Sequence, residues 1–390
     1  MGILAKSYLN EEDIQYCVDI RRKLHRRPEV GFDLPETAAL VKAELEKLGL
    51  TVMTHFAPCS CVAFVNPECK GKTVLLRADM DALPILEKSG VEFASEKPGL
   101  MHACGHDAHT AMLLTVGRVL QRIKEQLPVR VMLLFQPSEE CEQSGAKCMV
   151  EHGVTDGVDY AVTFHCGNEY PAGFLGLSVG DAQAACDPIT LTFHGKTAHA
   201  TRYWEGVDAV QMAMQAWEGL KKIVAEEVEE RKHIFSLGYF HGGTAHNVIS
   251  DECTVKISFR YYDSAFAAKV RSRGIALLDE ICTAFGGTVD IDWNTSAPPV
   301  INDTKLAERF LASAKKVAGE NTAVTPSRMG SEDFAWYLTK VPGIATRLGT
   351  GNAEKGANTS GHTNVYRIDE DAFENGILGL CQFVLDFEER

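Results

Sequence analysis

HACGHDAH, residues 102–109, crowds histidine, cysteine and aspartate side chains into a turn or two of chain. Its flanks are apolar, Leu100 and Met101 before it and Ala111 to Leu114 after it. Ligand-type side chains held between hydrophobic segments need a reason, and a divalent metal is the expected one. The surrounding chain decides the fold. A helix is expected from about Asp107 to Ile123, between two apolar strands, TVLLRA (73–78) and VRVMLLF (129–135). A short helix (145–152) and the strand YAVTFH (160–165) follow. Strands alternating with helices predict an α/β fold. Its mostly parallel sheet is flanked by helices, with ligands at the C-terminal ends of the strands.

Towards the N-terminus, 12–48 reads as two helices interrupted at Arg27-Pro28-Glu29, and a strand is expected over 51–66. Beyond residue 187 the pattern changes. ITLTFHG (189–195) alternates, a helix spans about 206–230, strands cover 233–240 and 253–261, a helix covers 264–285, and TVDIDW (288–293) closes the block. That β-α-β-β-α-β order predicts an inserted ferredoxin-like α+β domain over 186–296, within a domain made of 1–185 and 297–390. After Pro298-Pro299 the reading is helix (304–318), helix (331–339), strand (344–349), a Gly/Asn-rich loop and a last helix (370–387).

A chain of 390 residues exceeds the usual ceiling for one core, so about two domains are expected. A formal net charge of −14 argues against a nucleic-acid partner. No apolar run approaches a membrane span, and MGILAKSYLN is not a secretory signal. The twelve scattered cysteines are expected to be reduced, and the location cytoplasmic.

Further ligand types stand at successive strand ends. Asp79 and Asp81 lie in RADMDALP, Glu139 and Glu140 in FQPSEE, and His165 ends YAVTFH. Each has a bland alternative. Cys104 and His106 could be a loop cysteine and a capping neighbourhood, the paired glutamates an acidic first turn, His165 structural. Their convergence on one sheet edge favours a shared centre. His362 sits in a late polar loop, SGHTNVY, and GSEDF (330–334) at a helix start. In the inserted block, His199 and Asn247 could donate to a substrate oxygen, or be polar loop residues. No phosphate loop, G-x-S-x-G elbow or Cys-x-x-Cys zinc pair is present.

RRKLHRRPEVGFDLPET, RADMDALPI, MHACGHDAHTAML, FQPSEE, GKTAHA, GGTAHNVIS and MGSEDFAWYL, in that order, resemble the M20 metallopeptidases. Within them the resemblance is to the amidohydrolases that include N-acyl-amino-acid deacylases, hippurate hydrolases and auxin-conjugate hydrolases. It implies a dinuclear-metal catalytic domain with an inserted lid or dimerisation domain; edge strands of the inserted unit could pair across a two-fold axis, so a homodimer is expected. It implies two divalent ions per chain (Mn, Zn, Co or Ni) held by Cys104, His106, Glu140, His165 and His362. Glu139 would be the general base, Asp81 the aspartate that orients a ligand histidine, and His199 the lid donor to the oxyanion. Asn247 and Arg260 would approach the substrate. The implied reaction is hydrolysis of an N-acyl amino acid. A carboxypeptidase or dipeptidase acting on short peptides is the alternative, and a non-catalytic binding protein a further one. Three departures bear on the pocket wall: Tyr203-Trp204 where a Pro-His pair is usual, Asn168 where proline is common, and SGHTNVY around the last ligand.

Overall fold

The computed structural model describes residues 4–387, so the first three residues of the segment read for a signal lie outside it. The chain forms two compact units. Met1–Ala182, Ile301–Ser327 and Asp333–Arg390 make the first; Gln183–Val300 with Arg328–Glu332 makes the second.

In the first unit, α1 (Glu11–Arg26) opens with a reciprocal Asn10–Asp13 capping box. The break after it is built around buried Glu29, whose carboxylate accepts the Glu36 and Thr37 amides (3.2 and 2.8 Å) and so caps α2 (Pro35–Lys47). Then come β1 (Cys61–Val65), β2 (Thr73–Asp79), α3 (His106–Arg122), β3 (Arg130–Gln136), α4 (Gly145–Glu151) and β4 (Tyr160–Pro171). The seven-stranded sheet runs β1-β3-β2-β4, then Gly343–Gly351, Leu175–Leu177 and Thr322–Val324. β3, β2, β4 and Gly343–Gly351 are mutually parallel; β1 is an antiparallel edge. The continuous apolar runs of β2 and β3 follow from burial on both faces. Leu76 and Leu133 face the core that contains Leu113 and Val116 of α3, while Leu75 and Leu134 face Phe334 and Tyr337. α3 is buried over most of its length, its polar first turn of His106, Asp107, His109 and Thr110 included.

The second unit is a four-stranded antiparallel sheet, ordered Thr288–Trp293, Ala185–His194, Glu252–Tyr261, His233–Gly242. The helices Ala209–Glu227 and Ser264–Phe285 cover it, packing Met212, Leu220, Val270 and Leu278 on Ile189, Leu191, Val255 and Phe259.

Several elements differ from expectation. The strand expected over 51–66 shrinks to β1, because the turn at Pro58-Cys59 (Cys59 φ +60°) leaves only a bridge from Met53 to Val62. The helix expected over 331–339 is confined to Ala335–Leu338, and β4 runs on to Pro171. All twelve cysteines are free thiols. No helix among the described residues is long and apolar enough to cross a membrane.

Candidate metal centre

The parallel register pairs Asp79 with Gln136 and Arg77 with both Leu134 and Thr163. The C-terminal ends of β2 and β3 therefore deliver Asp79–Asp81 and Pro137–Glu140 to one edge of the sheet, and His165 lies on β4 two residues beyond its last pairing with β2. Cys104 and His106 reach the same place from the start of α3. The hinge between them is Gly105, at φ +87°, where a Cβ would stand 3.4 Å from Cβ of Cys166. A left-handed residue in so close a space calls for glycine.

Five sequence-selected side chains meet here. Cys104 Sγ is 3.4 Å from His165 Nε2, and His362 Nε2 is 3.1 Å from Glu140 Oε1. His106 Nε2 is 3.8 Å from the same Glu140 oxygen. Within three overlapping groups the ligand atoms all lie within 4.8 Å of one another: Cys104 with His106 and His165, Cys104 with Glu140 and His362, and His106 with Glu139 and Glu140.

Hydrogen bonds fix which ring atoms face inward. His106 Nδ1 donates to the Asp81 carbonyl (2.8 Å) and His165 Nδ1 to the Cys166 carbonyl (2.7 Å). In the neutral ring each Nε2 then carries a lone pair into the cluster, the tautomer a metal requires. Asp81 also secures the acids: its two carboxylate oxygens accept the Glu139 and Glu140 amides, each at 3.0 Å.

Two further ligand types, Asp79 and His109, are engaged elsewhere. Asp79 accepts from Arg77 Nη1 (2.5 Å) and from His109 Nδ1 (2.6 Å), and His109 Nε2 accepts the Cys166 amide (2.9 Å). Neither ring nitrogen of His109 is left for a metal. Sequence reasoning missed the support beneath the acids. Arg77, itself buried, donates to Gln136 Oε1 and to Asp333 Oδ1, both at 2.8 Å. Asp333 also accepts from Gln136, Ser144 and the Ala146 amide. A signal existed: Arg77 and Gln136 are polar residues that follow the apolar runs of two buried strands.

The donor set fits divalent cations. Among the described residues, His106 Nε2 is buried without a hydrogen-bond partner, and such an atom is costly unless something binds it. Burial pushes the Cys104 thiol up to about 12, so a thiolate there needs a cation beside it. Burial likewise drives His165 well below the usual imidazole range, keeping it neutral and able to ligate. Burial opposes charge on Glu140 too, but its bond to His362 and the nearby His106 hold its carboxyl below the usual range. Thiolate, imidazole and carboxylate together suit zinc or a similar ion.

His199, Asn247 and Arg260 lie in the second unit. His199 pairs with Val248 in the short ladder Ala198–His199/Val248–Ile249, and the Ala200 amide donates to the Asn247 carbonyl (3.0 Å), so those two residues are neighbours. Arg260 is not with them. It stands near the far end of the strand Glu252–Tyr261, roughly 27 Å along it, and donates to the Met329 carbonyl (3.0 Å). Tyr203 and Trp204, just after His199, are 65% and 68% exposed.

The motifs and this geometry find their counterpart in known proteins. Residues 75–386 match peptidase family M20/M25/M40, and the chain belongs to that family. It is 33% identical to thermostable carboxypeptidase 2 of Saccharolobus solfataricus over 100% of both chains. It is 34% identical to N-acetyl-L-cysteine deacetylase of Bacillus subtilis, over 91% of this chain and 84% of that one. The crystal structure of Bacillus subtilis YXEP, a dinuclear metal binding peptidase from the M20 family, superposes with a TM-score of 0.83 at 26% identity, covering 97% and 98% of the two chains. The protein is a metal-dependent hydrolase of this family.

Proposed function

We propose that Cys104, His106, Glu140, His165 and His362 hold two divalent cations, and that the protein hydrolyses the amide bond of N-acyl amino acids. The observation that carries this is the inward convergence of those five ligand atoms beside the Glu139 carboxylate, with the outer ring nitrogens of His106 and His165 already spent on carbonyls. The relatives named deacetylase and carboxypeptidase, and the dinuclear neighbour, support it.

Bound there, such cations would supply Lewis acidity to the amide carbonyl and lower the pKa of water. The rest is the work of the chain. Glu139 accepts a proton from the attacking water and passes it to the leaving nitrogen as the C–N bond breaks. The oxygen of water ends in the released carboxylic acid and its proton on the released amino acid. Asp81 keeps Glu139 and Glu140 in place through their amides, and holds His106 through its own carbonyl. By the resemblance, His199 of the second unit would donate to the oxyanion and Asn247 and Arg260 would approach the substrate. In the same reading that unit serves as lid and dimerisation domain of a cytoplasmic homodimer.

A second reading, a carboxypeptidase or dipeptidase, is favoured by the full-length likeness to a protein named carboxypeptidase. The two differ in whether the substrate needs a free amine. Turnover of N-acetyl and N-benzoyl amino acids, against dipeptides, with Mn2+, Co2+ or Zn2+, decides between them. Cleavage confined to dipeptides rejects the deacylase.

A further inference from the structure

His362 differs from the other four proposed ligands in how it is held. Cys104 and His106 flank the start of α3, Glu140 follows the end of β3 with its amide held by Asp81, and His165 lies within β4. His362 lies in the irregular segment between the strand Gly343–Gly351 and the last helix, Phe373–Leu385. Its side chain is 54% exposed, so packing does little to fix it. Its backbone is left-handed, at φ +62°. A non-glycine residue keeps that conformation only when its surroundings impose it.

The surroundings include one side chain that grips both ends of the loop. Asn168, on β4 three residues after His165, donates from Nδ2 to the carbonyl of Thr359 (2.9 Å) and to that of Arg367 (2.7 Å). Two carbonyls can only accept, so the amide nitrogen faces them, and Thr350 Oγ1 donates to Asn168 Oδ1 (2.8 Å) on the other side. Thr359 and Arg367 bracket His362, so one amide closes the base of the loop. Inside the loop the His362 amide donates to the Ala103 carbonyl (2.8 Å), beside Cys104.

We propose that Asn168 is a positioning residue for the metal centre, setting His362 against Glu140 by clamping the loop at Thr359 and Arg367. This rests on the reading of His362 as a ligand. It gives β4 two tasks: His165 enters the cluster itself, and Asn168 holds in place a ligand supplied by another segment. Partners that orient ligands from behind typically change metal affinity by about 10- to 100-fold when lost.

The test is equilibrium dialysis of the full chain against Zn2+, with protein-bound metal measured alongside the thermal midpoint. Asn168→Asp keeps the size and the acceptor for Thr350 but turns both donors into a carboxylate facing two carbonyls. One of the two zinc affinities is expected to fall about tenfold or more, with the other held. Thr350→Val, which removes only the bond orienting the amide, is expected to weaken the same site by a smaller factor, and serves should Asn168→Asp not fold. His362→Ala separates the two claims. If it loses one zinc while the Asn168 and Thr350 variants bind both ions as the wild type does, the positioning role is wrong, whatever happens to the midpoint. If His362→Ala itself keeps both ions at full affinity, the ligand assignment fails and takes this inference with it.

Discussion

Replacing Arg77 by methionine probes the support beneath the centre. The guanidinium is 1% exposed and faces two carboxylates, Asp79 at 2.5 Å and Asp333 at 2.8 Å, besides Gln136. Methionine fills most of the volume but leaves both acids buried without their cation. Breaking a buried pair by removing one partner costs about 3–5 kcal/mol. Both acids retain other donors, Asp79 from His109 and Asp333 from Gln136, Ser144 and Ala146. The lower end, about 3 kcal/mol, is therefore expected, or a fall in the unfolding midpoint of roughly 6–10 °C for a unit of this size. Lysine at the same position, a point charge able to serve one carboxylate, should recover part of the loss. Urea and thermal unfolding of both variants and the wild type provide the measurement. A midpoint within 1 °C of wild type for Arg77→Met, or no gain from lysine, would refute the view that these acids depend on Arg77.

Three further outcomes follow from the geometry. Glu139→Gln should retain bound metal while kcat falls about 10²–10⁴-fold; turnover like the wild type's would remove Glu139 from the chemistry. Gly105→Ala forces a side chain into a left-handed position with Cβ 3.4 Å from Cys166, which should cost about 1–2 kcal/mol and lower metal content, as unfolding and metal analysis would show. Glu87 accepts bonds from His25, Ser89 and the Ser95 amide, and although burial opposes its charge these hold its pKa at about 2 against an ordinary 4.5. A lowered carboxylate pKa stabilises above the unfolded value and loses that contribution as pH falls through the folded one. Roughly 2–3 kcal/mol should therefore vanish between about pH 4.5 and 2. In Glu87→Gln that component of acid sensitivity should be absent; unfolding titrations with the same acid profile as wild type would contradict it.

What was legible in the sequence was what local pattern encodes. TVLLRA and VRVMLLF announce strands buried on both faces, and ligand types at their ends announce the edge where a site gathers. The segment 51–60 misled because its apolar residues suggest a strand, whereas Pro58 and left-handed Cys59 turn the chain and only Met53 bridges to β1. Leu175–Leu177 and Thr322–Val324 are too short to leave a period. Asp79 and His109 have the chemistry of ligands, and only the contacts to Arg77, Cys166 and each other show that they are already occupied. Asp333 meets Arg77 across 256 positions and Asn168 meets Arg367 across 199. No spacing rule reaches so far, so the support of the centre was hidden while its ligands were visible.

The central claim is that five named side chains share two cations. Anomalous diffraction from crystals grown with Mn2+ or Zn2+ addresses it most directly. Two peaks are expected, contacted between them by Cys104, His106, Glu140, His165 and His362, with Glu139 alongside. A single peak, or peaks seated instead on Asp79 and His109, would contradict the account.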